Sequence, residues 1–132
     1  PADKPALEKA FGAERSNNPR LSMAFALVSL GNRQMSEFSP LQYLVNTLNS
    51  KAYRDVAISF LTEVARDPEV RQAIYPALTQ ATRDEKTGMS IVLARSGDRD
   101  SEPYLETLVK DPDPDVMQEG TRSLRTLQNR LH

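Results

Sequence analysis

Leu44-Val45-Asn46-Thr47-Leu48 is followed 30 residues later by Ile74-Tyr75-Pro76-Ala77-Leu78, and after another 30 by Tyr104-Leu105-Glu106-Thr107-Leu108. In each stretch the first, second and fifth positions are apolar or aromatic, the spacing of one face of an α-helix. Asp55, Glu85 and Asp115 keep the same step. A fixed period of this length, with helical patterning inside each unit, marks a stacked helical repeat. Such a unit buries its apolar face only against its neighbours, and the product is an extended surface more often than a pocket.

Helix starts flank the repeated stretches. Asn18-Pro19, Ser39-Pro40, Asp67-Pro68 and Asp113-Pro114 each set a capping side chain before a proline. The cap accepts a bond from an orphan backbone N–H, and proline at the first helical position has no N–H to lose. Leu30-Gly31-Asn32 and Ser96-Gly97-Asp98 place glycine where a left-handed C-terminal cap is favoured. These signals divide the chain into about eight helices, near 4–15, 19–31, 39–50, 53–66, 68–82, 85–96, 101–110 and 114–130. No segment alternates in the manner of a strand. Pro76 is expected to kink or split its helix near Tyr75. Asp67 to Arg71 reads like the start of the second helix of a pair, but the period makes it a first helix.

Apolar faces follow this division. Leu41, Leu44, Val45 and Leu48 share one face, as do Val56, Ala57, Phe60, Leu61 and Val64. Val116, Gly120, Leu124 and Leu127 form a third, with Gly120 admitting a close neighbour.

At 132 residues the chain is long enough for one substantial core, and residues 1–132 read as one domain. It begins at Pro1 and is expected to be a fragment of a longer chain; its compartment stays open. Seventeen basic residues oppose eighteen acidic ones, so the net charge of −1 leaves no electrostatic footprint for nucleic acid. The longest apolar run, Met23 to Val28, falls far short of the ~18 residues that span a bilayer, so no membrane insertion is expected. There is no cysteine, which removes disulfides, thiolate metal sites and a Cys nucleophile. The single histidine is the terminal His132, which leaves no internal imidazole for a zinc site or a Ser-His-Asp triad.

The segment from Asn18 through Leu21-Ser22-Met23-Ala24-Phe25-Ala26-Leu27-Val28 to Gly31-Asn32 resembles a short HEAT-like repeat of the bacterial PBS-lyase-like type. So does Lys110-Asp111-Pro112-Asp113-Pro114-Asp115-Val116 with Leu124 and Leu127, and Ile91 to Asp98 has a matching helix end. The resemblance spans about residues 18–130. It departs at Met117, where the family often has Arg, and at Lys86, which interrupts an apolar position. It implies an all-α, right-handed α-solenoid of about four helix pairs. It implies no cofactor, and says little about function, since one fold hosts many roles.

Candidate chemistry is sparse. Asp111, Asp113 and Asp115 alternate like the opening of a calcium loop, but Val116 and Arg122 stand where that loop needs Gly and Glu, so a turn and helix cap is expected. Asp98, Asp100 and Glu102 are read the same way. Arg83-Asp84-Glu85-Lys86 reads as a solvated turn with local ion pairs, or else as a recognition spot. Leu21 to Leu30 is apolar nearly all round, and is expected to be a central helix or to face an apolar groove.

The expected function is a non-enzymatic protein–protein interaction scaffold whose partner is another protein or a neighbouring domain. In the family the second helices line the concave face. The residues expected there are Arg20, Asp55, Ser59, Glu85, Met89, Asp115, Glu119 and Arg122, with an apolar spot at Met89. The alternatives are an enzyme-associated, bilin-lyase-like module, the structural end of a longer solenoid and, last, a nucleic-acid module of the DNA-glycosylase kind.

Overall fold

The computed structural model describes residues 17–33, 35 and 39–132. The helix expected at 4–15 lies outside them, and the other seven are present: α1 (Asn17–Ser29), α2 (Pro40–Asn46), α3 (Arg54–Val64), α4 (Pro68–Ile74), α5 (Arg83–Ser96), α6 (Glu102–Val109) and α7 (Pro114–Leu131). Short 3-10 segments extend α2 over Thr47–Asn49 and α4 over Tyr75–Gln80, and a third, Arg99–Ser101, leads into α6. No strand occurs among the described residues.

The caps act as the sequence predicts. Ser39 Oγ accepts the Gln42 N–H at 3.1 Å, Asp67 Oδ1 accepts that of Glu69 at 2.9 Å, and Asp113 Oδ1 accepts that of Asp115 at 2.9 Å. The Asn18 side chain lies outside the described residues. Thr82 opens α5 with a reciprocal box: its Oγ1 accepts the Glu85 N–H at 3.1 Å, and its own N–H donates to Glu85 Oε1 at 3.0 Å. This starts α5 two residues earlier than the expected Glu85. Pro76 lacks the N–H that would continue α4, and the chain tightens into 3-10 geometry from Tyr75.

The two glycine ends differ. Gly31 adopts φ +120° while the N–H groups of Asn32 and Gly31 donate to Leu27 O and Val28 O, the left-handed cap expected. Gly97 does not: its φ is −73°, open to any residue. What Gly97 supplies is room, because a Cβ there would lie 2.6 Å from Leu93 O and collide with Ser101 Oγ.

Alternate helices follow one another in contact, α1 against α3, α3 against α5 and α5 against α7. Helix α2 packs on α1 and α3, and α6 packs on α7. Leu44, Val45, Leu48, Ile74, Tyr75, Leu78, Leu105 and Leu108 are all buried, so the repeated stretches do build the core. Tyr104 is the exception at 38% exposed; one face of its ring stacks on Tyr75 at 3.9 Å. Gly120 lets α7 approach α6 until a Cβ there would stand 3.0 Å from the Leu108 backbone. Val56 and Phe60 depart from the expected face, since Val56 is exposed and Phe60 half-buried.

Arginines join the helices. Arg54 donates from Nη1 to Leu48 O (2.7 Å) and Asp84 O (2.8 Å), and from Nη2 to Thr87 Oγ1 (2.8 Å). Arg71, buried in α4, donates to Ala65 O (2.8 Å), Arg66 O (3.2 Å) and Ser96 O (3.4 Å), and forks onto both Asp100 oxygens at 3.0 and 3.2 Å. Arg130 of α7 reaches Ala94 O and Gly97 O at the end of α5. Their carbonyl acceptors include groups that helix termini leave without intrahelical partners.

Candidate interaction surface

The eight residues expected on the second-helix face fall into three groups: exposed, half-buried and buried. Asp55 and Ser59 are exposed on α3, and Asp115 and Arg122 on α7. Glu119 is half-buried and accepts a bond from Ser123 Oγ at 3.4 Å. Arg20 is half-buried with its guanidinium 4.8 Å from the Tyr43 ring centroid. Glu85 and Met89 contradict the expectation. Met89 is fully buried, and Glu85 is held by the Thr82 N–H and by Asn49 Nδ2 at 2.9 Å. There is accordingly no exposed apolar spot at Met89.

The cause is helix phase. The buried positions Ala57, Leu61 and Val64 of α3, with Ala65 just after it, recur in α5 as Glu85, Met89, Val92 and Leu93, a step of 28 rather than 30. From α5 to α7 the buried set Glu85, Met89, Val92, Ser96 becomes Val116, Gly120, Ser123, Leu127, a step of 31. Two residues of slip are about 200° of helical rotation, which turns Glu85 and Met89 from solvent to core. The residues of α5 that correspond to Asp55 and Ser59 are Arg83, which is exposed, and Thr87, which is half-exposed. Ile91 and Arg95 continue outward from Thr87 along α5. The sequence reading missed these three. Only the position of the Thr82 cap, which fixes the start of α5, carried the signal.

Glu85 and Met89 line instead a cleft of about 220 Å³ between α2, the 75–80 segment and α5, floored by Val45, Ile74 and Leu78. Side chains bridge the helix starts. Arg83 Nη1 pairs with Asp115 at 3.5 Å, and Lys86 Nζ with Asp111 at 2.7 Å. The lysine that breaks the apolar pattern is thus a cross-unit link. Bonds from Lys86 and from the Asp113 N–H hold the Asp111 carboxyl below the ordinary aspartate value.

This accounts for the alternating aspartates. Asp111 binds Lys86 and a backbone N–H, Asp113 caps α7, and Asp115 pairs with Arg83. No group of three His, Cys, Asp or Glu suited to a metal occurs among the described residues. In Arg83–Lys86 every member likewise meets a partner within the chain. Helix α1 buries Leu21, Ala24, Leu27 and Val28, while Phe25 stacks on Phe60 at 4.6 Å. No helix among the described residues is long and apolar enough to cross a membrane.

One polar cluster has the residue types of a reactive site. Tyr75 OH donates to Asp100 Oδ2 at 2.5 Å and lies 2.6 Å from Ser101 Oγ, beside Arg71. Burial, then the bond to Asp100, raises the Tyr75 phenol above its ordinary range. Burial would raise the Asp100 carboxyl as well, but the bonds from Arg71 and Tyr75 outweigh it and hold Asp100 down. Tyr75 and Ser101 are both buried, so neither presents an atom to a substrate. The cluster fastens α4 to the turn before α6.

The exposed flank of α3, α5 and α7 therefore carries Asp55, Ser59 and Glu63, then Thr87, Ile91 and Arg95, then Asp115 and Arg122. It mixes both charges with little apolar area, as the rim of a protein interface does. Comparison with protein-family models, curated proteins and solved structures gives no match for this chain.

Proposed function

We propose that the chain is a right-handed α-solenoid of about four HEAT-like helix pairs, and that it serves as a non-enzymatic protein–protein interaction scaffold. The observation that carries this reading is the sequence of contacts α1–α3–α5–α7 with a mixed-charge exposed flank on its members. The binding face runs through Asp55, Ser59, Thr87, Ile91, Arg95, Asp115 and Arg122. Glu85 and Met89 belong to the frame beneath it.

Affinity capture tests the face. The native chain is compared with a variant carrying Asp55→Lys and Arg95→Glu. Both positions are exposed, and neither has an ion-pair partner among the described residues. A protein retained by the native chain and lost by the variant, at equal helicity, supports the face. Equal retention sinks this assignment.

A further inference from the structure

Helix α7 has a side that its predecessors keep covered. Steps of 28 and 31 take Ile58 to Lys86 and Met117, and Thr62 to Ser90 and Thr121. Ile58, Thr62 and Ser90 are buried, and Lys86 is half-buried. Met117 is 45% exposed, and Thr121 is open to solvent. Between this side of α7 and the end of α6 runs a groove of about 590 Å³, lined by Val109, Met117, Gln118, Thr121, Arg122 and Arg125 beside Pro114. No carboxylate lines it. The guanidinium groups of Arg122 and Arg125 make no ion pair or hydrogen bond among the described residues, whereas those of Arg54, Arg71 and Arg130 are all engaged.

We infer that this groove is a docking site for an acidic, amphipathic peptide segment of a partner protein. Its carboxylates would pair with Arg122 and Arg125, and an aliphatic or aromatic side chain would settle on Met117 and Val109. Charge complementarity decides the occupant. A further apolar helix laid here would bury two guanidinium groups without counter-charge, which is strongly unfavourable. A carboxylate-bearing segment removes that penalty, because arginine takes a carboxylate in a two-pronged, charge-assisted bond. The excess of positive charge is local. Helix α7 holds Arg122, Arg125 and Arg130 against Asp115 and Glu119, a balance of +1 within a chain of net −1. The site adjoins the flank proposed above and shares Arg122 with it.

The test is selection from a displayed random-peptide library on the whole chain, followed by fluorescence anisotropy with the most enriched peptide. The expected peptides combine several Asp or Glu residues with a large apolar one. Arg122→Glu/Arg125→Glu should weaken binding about tenfold or more, since two attractions become repulsions. Met117→Ser should weaken it with the salt dependence unchanged, and Asp55→Lys should leave it intact. These residues are exposed, so equal helicity of the variants is expected as the folding control. Enrichment without acidic residues, or unchanged binding in the double reversal, overturns the proposal. So does loss of binding in Asp55→Lys, which would move the peptide to the α3–α5–α7 flank. Inorganic polyphosphate binding as tightly as the peptide would overturn it too, by showing a general anion site.

Discussion

Replacing Arg71 with methionine probes the best-connected side chain in the molecule. The methionine fills similar volume but makes none of the five bonds that the guanidinium gives to Ala65 O, Arg66 O, Ser96 O and the two Asp100 oxygens. Breaking a buried ion pair from one side costs about 3–5 kcal/mol, because the partner groups stay behind uncompensated. The Asp100 side chain is 32% exposed, so water takes over part of its role, and the expected loss sits at the lower end, about 3 kcal/mol. Against a typical total of about 5–15 kcal/mol this is a large share. With an m-value of about 2 kcal/mol/M, the urea midpoint followed by far-UV circular dichroism falls by about 1.5 M. Asp100→Asn is the companion variant. The double mutant should lose at least about 1 kcal/mol less than the sum of the singles, because both remove one interaction. A loss below about 1 kcal/mol for Arg71→Met would refute the idea that this guanidinium joins α4 to the ends of α3 and α5, and strict additivity with Asp100→Asn would refute its grip on the 99–101 segment.

This cluster and the separate Lys86–Asp111 pair set a pH dependence. Asp100 and Asp111 are held below the ordinary aspartate value, so their contribution is present above about pH 4 and is lost as pH falls through their lower folded values. Tyr75 is raised, so its contribution is full below about pH 10 and declines above it. Midpoints of urea unfolding measured across pH should show both limbs, and Arg71→Met combined with Lys86→Met should flatten the acid one; an unchanged acid limb contradicts the assignment. The glycines give a ranking. Gly120→Ala pushes against the Leu108 and Val109 backbone at 3.0–3.1 Å and should cost about 1–3 kcal/mol, less up to ~1 for better helix propensity. Gly88→Ala meets only the Leu48 side chain, at 2.9 Å from its Cδ2, which can turn aside. Thermal melts should therefore place Gly120→Ala below Gly88→Ala, and the reverse order would count against a rigid α6–α7 contact.

Local chemistry was legible in the chain. Ser39, Asp67 and Asp113 cap helices because the bond spans only two or three residues, and Pro76 stops α4 by what it lacks. The 30-residue step also found the buried core of the first helices, from Leu48 to Leu108. It failed on the second helices, because a count of residues carries helix phase only while linkers keep their length. Four residues, 50–53, precede α3, but only Ala81 and Thr82 precede α5. The two missing residues are the two-residue slip that turns Glu85 and Met89 inward. The joining arginines were hidden for another reason. Arg54, Arg71 and Arg130 find backbone oxygens that come near only after folding, and no side-chain pattern announces a carbonyl.

That choice of acceptor has a consequence for what can vary. Every residue carries a main-chain oxygen, so Leu48, Ala65, Arg66, Asp84 and Ala94 offer the arginines an acceptor whatever side chains they bear, while Gly97 must also stay small. These main-chain joints depend on a few guanidinium groups, while the grips of Arg71 on Asp100 and of Arg54 on Thr87 need those side chains as well. Outer positions such as Asp55, Ser59 and Arg95 can then be rewritten one at a time without loosening the frame. In this respect the molecule is a fixed chassis whose outer face takes no part in its joints.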